Sequence, residues 1–304
     1  MISTIIILLS LSAIVALRQE RLQRNKSEIQ HHYLQMLLVG NNQSERYIEE
    51  LSQLSGIKSK QAAAEVIAEL SHIIYRLDAQ ALENITHSLH LTDFLLQQTS
   101  RSRGIERTKW LAIFSRVPLS DFDTKELLPY LRSKNRMESF YALMALINAD
   151  QRNVMHHVAQ YPTTMTQFEI SQLLSLLRQG SIAVAFQPML QSKNVNLNLL
   201  GVAVVQHFGV ESAQGKLREI IASHHNFTLR LESLYALCSM QLMLCSPSIK
   251  EFVSRMPRIE TRRFLRHIAL EGYAQSVINF FTRKSERKYF NSLINSYKIK
   301  IECF

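Results

Sequence analysis

One octapeptide is written twice in this chain, and the distance between its copies restricts the fold more than any other feature. Arg136-Met-Glu-Ser-Phe-Tyr-Ala-Leu143 returns as Arg230-Leu-Glu-Ser-Leu-Tyr-Ala-Leu237, six of eight positions being identical at an offset of 94 residues. Such a span is either a coincidence or a whole number of shorter repeats. The 8 Gly and 6 Pro in 304 residues are too few for the many turns of a sandwich or a doubly wound sheet. Leu, Ile, Ala, Ser, Gln and Arg dominate instead, so the chain reads as all-α.

Helices aligned on the alanine of the octapeptide give Ala112, Ala142, Ala203, Ala236 and Ala269, with gaps of 30, 61, 33 and 33. The gap of 61 holds two units, the middle helix being 168–177 with Leu173 where alanine is expected. Polar breaks at 100–104, 133–135, 148–150, 161–164, 178–180, 192–194, 223–226 and 245–247 leave room for helical hairpins and nothing larger. A period of about 30–35 residues built from two helices marks a helical solenoid.

Asn226 followed by Arg230, Ser233, Ala236 and Leu237 resembles the second helix of a HEAT repeat, and Arg136 with Ser139, Ala142 and Leu143 repeats the pattern. The resemblance implies a right-handed α-solenoid of about seven hairpins over residues 58–280. In it Ala142, Ala203, Ala236 and Ala269 let helices approach closely. Arg136 and Arg230 reach a carboxylate or carbonyl of an adjacent unit, or else a ligand. Glu138 and Glu232 then read as first-turn charges that complement the helix dipole.

Residues 1–17 carry no charge, and as a helix they span about 25 Å at ~1.5 Å per residue. Arg18, Arg21, Arg24 and Lys26 follow at once. A secretory signal carries its positive charge before the apolar run, whereas here it comes after. The order predicts a single-pass anchor in the inner (plasma) membrane, N-terminus outside and body in the cytoplasm. A cleavable peptide ending near residues 13–16 is the alternative. Residues 18–57 then form a juxtamembrane helix and connector, 58–280 the helical array, and 281–304 a basic C-terminal capping helix or tail.

Catalytic signatures are lacking in the sequence. The histidine doublets His31-His32, His156-His157 and His224-His225 place neighbours on different helix faces, and no His-Glu dipeptide of the iron-binding helical-repeat enzymes occurs. No two glycines are closer than six residues, so there is no phosphate-cradling loop. Cys238 and Cys245 read as filler on one apolar helix, where a thiol is inert. Neither a metal nor another cofactor is expected.

The distinctive surface is basic. From residue 250 onward 12 Lys and Arg face 5 Asp and Glu, so +7 of the net +10 lies at this end. Arg258, Arg262 and Arg266 recur at i, i+4 and i+8 on one helix face, and Arg283, Lys284, Arg287 and Lys288 form a second cluster. They read either as a solvated cap or as a contact for an acidic protein, anionic lipid or nucleic acid. The expected role is a non-catalytic, membrane-tethered scaffold or adaptor for a protein partner. The resemblance implies an envelope component or a membrane glycosyltransferase as that partner. The rival is a basic nucleic-acid-binding solenoid similar to the HEAT-like DNA glycosylases.

Overall fold

The computed structural model describes residues 57–74, 89–117, 124–179, 185–282 and 286–292, with parts of 16–28 and 83–87. Every regular element among them is a helix. The expected anchor lies outside the described residues except at Ala16 and Leu17, as do Arg283 and Lys284. Among the described residues, no helix is long and apolar enough to cross a membrane. The chain divides into two compact units, the first comprising Met1–Thr163 with Ser175–Ile182, the second Thr164–Leu174 with Ala183–Phe304.

The first unit contains α1 (Ile57–Ile74), α2 (Leu91–Arg101), α3 (Gly104–Phe114), α4 (Leu128–Leu131), α5 (Arg136–Ala149) and α6 (Val154–Ala159). The fully buried run Ala62, Ala63 and Ala64 lets neighbours approach α1, which packs on α2 and α3. Trp110 is buried edge-on to Phe94, with ring centroids 5.8 Å apart. Lys26 is tied to α1 by an ion pair with Glu65 at 2.6 Å. Burial pushes the Glu65 carboxyl up, but bonds from Lys26 and Gln61 outweigh it and hold the group below the usual range.

The second unit takes the first part of α7 (Gln167–Gln179), then α8 (Phe186–Gln191), α9 (Val195–Phe208), α10 (Gln214–Ser223), α11 (Phe227–Ser239), α12 (Pro247–Arg255), α13 (Arg258–Leu270) and α14 (Gln275–Phe281). Here α9 packs on α11 and α11 on α13, while α10 packs on α12 and α12 on α14. Across these two rows, α8 meets α9, α10 meets α11 and α13 meets α14. Gly209 ends α9 at φ +64°, a conformation that other residues adopt only with strain.

An asparagine cap recurs in both units. Asn135, Asn194 and Asn226 each accept a first-turn backbone N–H, opening α5, α9 and α11. Two residues earlier, Ser133, Ser192 and His224 accept the N–H of the capping residue itself. Four residues after the cap, a side chain donates back to the helix before it: Ser139 to Leu131, Asn198 to Met189 and Arg230 to Ile221. Arg107, four after the N-cap Arg103, does the same to Thr99 and Ser102. Carbonyls at a helix end that would otherwise lack a partner are thereby satisfied.

This frame corrects the alignment drawn from the octapeptides. Arg136 directly follows its cap and is exposed, whereas Arg230 is the fourth residue after its cap. The two arginines are therefore not equivalent, and the caps lie 91 rather than 94 residues apart. Three residues turn a helix by about 300°, so an apolar pattern survives the slip with a rotation of about 60°. In the corrected register the small residue seven after the cap is Ala142, Gly201 or Ser233, all buried. At Gly201 an added Cβ would meet Met189 Cβ at 2.9 Å, which makes this the close approach of α8 and α9. Ala203 and Ala269, by contrast, are only half-buried, while Ala236 is fully buried.

The shared-helix placement of the cysteines is also corrected. Helix α11 stops at Ser239, Gln241 follows at φ 54°, and Cys245 is exposed beyond it. The Tyr273 hydroxyl donates to the Leu242 carbonyl at 2.8 Å, fixing the turn from 31 residues away. Cys238 remains buried within α11, and burial pushes its thiol well above the usual range.

Candidate functional site

A groove of about 690 Å³ opens on the second unit, lined by the alternate helices α7, α9, α11 and α13. Two devices set its near wall. Thr166 and Glu169 cap α7 reciprocally, the Glu169 carboxylate accepting from Thr166 N at 2.7 Å and Thr166 Oγ1 accepting from Glu169 N at 3.3 Å. The buried Asn196 side chain accepts from Met165 N at 2.9 Å and ties the start of α7 to α9.

Ile170, Leu174, Leu199, Val202 and Leu231 supply apolar walls. Phe227 joins them, although 42% of it remains exposed. An aromatic left this open beside an apolar trough is what a binding surface offers and a closed core does not.

The polar groups lie on α11 and α13. Glu260 is neutralised by Arg263 at 2.7 Å, so it adds no unmatched charge. Glu232 is different: it accepts from the Gln167 amide at 2.7 Å, and no cation pairs with it among the described residues. Burial pushes its carboxyl above the usual range, an effect that bond only partly offsets. Tyr235 is pushed up to about 12, by burial first and then by the Glu260 charge. His267 meets the Tyr235 ring edge-on at 5.0 Å, and its Nε2 is buried without a hydrogen bond, Glu271 being 3.6 Å away.

Sequence reasoning missed this groove. Glu232, taken as a first-turn dipole charge, sits six residues past its cap and faces the groove. Glu138, its supposed counterpart, is buried, accepts from Ser133 at 2.7 Å and lies 3.8 Å from Arg107. Of the basic residues singled out, Arg258, Arg262 and Arg287 line a separate hollow, Arg266 donates to the Tyr289 hydroxyl at 3.0 Å, and Lys288 is exposed.

Among the described residues, no three His, Cys, Asp or Glu side chains gather as a metal site. Among the described residues, the groove hydroxyls of Ser171 and Thr228 make no hydrogen bond to Glu232 or His267. No known family, no curated protein and no solved structure matches the chain.

Proposed function

We propose that this chain is a non-catalytic scaffold, a HEAT-like right-handed α-solenoid tethered to a membrane by residues 1–17, which holds a segment of a protein partner in the groove of its second unit. The two rows of helices in that unit and the recurring asparagine-capped helices support the solenoid reading. The uncharged run before Arg18 supports the tether.

The observation that carries the binding role is the groove itself: apolar walls from alternate helices around Glu232, a carboxylate with no cation paired to it among the described residues. A half-buried carboxylate in that state favours a charged donor. The occupant is therefore a polypeptide segment that places a Lys or Arg on Glu232 and an apolar side chain between Leu199, Val202 and Leu231.

Selection of a random peptide library on the detergent-solubilised full chain tests this. Enriched peptides should pair a basic with an apolar residue, and Glu232→Gln should remove the basic preference while sparing the apolar one. Enrichment that is absent, or indifferent to both Glu232→Gln and Val202→Arg, would refute the role given to the groove.

A further inference from the structure

A second hollow, of about 450 Å³, lies in the same unit between α12, α13, α14 and residues 286–287. Lys250, Arg258, Arg262 and Arg287 line it, against Glu286 as the acidic side chain. Other cations of this end are engaged elsewhere: Arg255 with Glu251 at 2.6 Å, Arg263 with Glu260 at 2.7 Å, and Arg266 with the Tyr289 hydroxyl. None of the ion pairs among the described residues involves Arg258, Arg262 or Arg287. The Lys250 ammonium sits 4.5 Å from the Phe280 ring centroid, which holds it at the wall.

The start of α13 adds to the field. Asn and Ser side chains cap α5, α9, α11 and α12, but Pro257 offers α13 no side-chain acceptor. Its first turn carries Glu260, already tied to Arg263 at 2.7 Å, and brings Arg258 to the rim of the hollow, with Thr261 and Arg262 following along the helix. Like charges crowded around a concave surface raise its potential and draw in an anion.

Four cations against one carboxylate leave a net of three positive charges, which a single carboxylate ligand would not balance. Guanidinium forks match phosphate oxygens, and Val253, Met256, Phe280 and Phe281 give the hollow an apolar side. We propose that this hollow binds a phosphate monoester or diphosphate attached to an apolar body, carried by a lipid headgroup or by a soluble molecule. Its residues are separate from those of the groove, so either site can fail without the other.

The test is calorimetric titration of the detergent-solubilised full chain with inorganic pyrophosphate, short-chain phosphatidic acid, short-chain phosphatidylcholine and a short DNA duplex. Either phosphate probe should bind, and phosphatidylcholine should not. Phosphatidic acid alone indicates a lipid source, and pyrophosphate binding a soluble one. The variant R258Q/R262Q/R287Q should weaken binding on the order of a hundredfold, while R152Q/R178Q/K193Q, with the same loss of charge elsewhere, should leave it unchanged. Should the first variant fail to fold, Arg287→Gln alone is expected to weaken binding by about fivefold. No binding of either phosphate probe, equal loss in both triple variants, or binding of duplex DNA alone would overturn the proposal.

Discussion

Arg230 donates through Nε to the carbonyl oxygen of Ile221 at 2.6 Å, closing the end of α10 from within α11. The same guanidinium lies over Phe252 of α12, 4.1 Å from the ring centroid. One side chain thus joins three helices of the second unit. Arg230→Met keeps the aliphatic stem but loses a hydrogen bond of ~1–2 kcal/mol and a cation–π contact of ~0.5–1 kcal/mol. Thermal denaturation should show a loss of about 2 kcal/mol, and Arg230→Lys should recover only the ring contact.

The asparagine caps are separable from the packing around them. Asn194→Ala leaves Asn196 N and Leu197 N without their acceptor, and should cost about 1 kcal/mol in urea unfolding. Asn194→Asp keeps the acceptor and should be close to neutral.

Gly201 and Ser233 occupy the same place after their caps, yet substitution by alanine should move stability in opposite directions. Alanine at 201 drives a Cβ to within 2.9 Å of Met189 Cβ, a clash of ~1–3 kcal/mol that exceeds a helix-propensity gain of up to ~1 kcal/mol. Ser233 Oγ is buried with no partner, so Ser233→Ala should stabilise by about 1 kcal/mol. Paired melting curves of the two variants check both signs.

Acid should expose Asp150. Burial raises its carboxyl, but bonds from Asn153 at 2.9 Å and His157 at 3.1 Å outweigh this and hold it below the ordinary value. A lowered folded pKa contributes stability above the unfolded value near ~3.9, and that contribution is lost as pH falls through the folded value. Asp150→Asn should therefore be less stable than the parent at neutral pH, with the gap closing below about pH 4.

Glu232 titrates with the opposite sign. Its folded pKa is raised, so part of the population is protonated in weakly acidic solution and must ionise to receive a cation. Basic peptides in the groove should bind more tightly as pH rises, with protons released on binding. Calorimetry in buffers of differing ionisation enthalpy measures that release, and Glu232→Gln should abolish it.

The helical class was legible because apolar spacing, scarce glycine and the breaks at 133–135, 192–194 and 223–226 are local signals, and the caps fall there. The register was not legible from identity alone. Arg136 and Arg230 match as letters, but hydrogen bonding counts from Asn135 and Asn226, and a slip of three residues nearly preserves the helix face. The end of α11 depends on Tyr273, a partner 31 residues from Leu242 that no local pattern names. The groove escaped for a related reason. Gln167, Leu199, Glu232 and His267 come from four helices, and each alone reads as an ordinary exposed or core position.

The most direct measurement is site-specific photo-crosslinking from Thr228, inside the groove, in the full chain within its native cells. The account predicts one discrete adduct whose sequenced segment carries a Lys or Arg beside an apolar residue. The adduct should be lost on Glu232→Lys and absent when the crosslinker is moved to Ser254, outside the groove. The same adduct from both positions, or one unaffected by Glu232→Lys, would contradict the claim that this groove holds the partner.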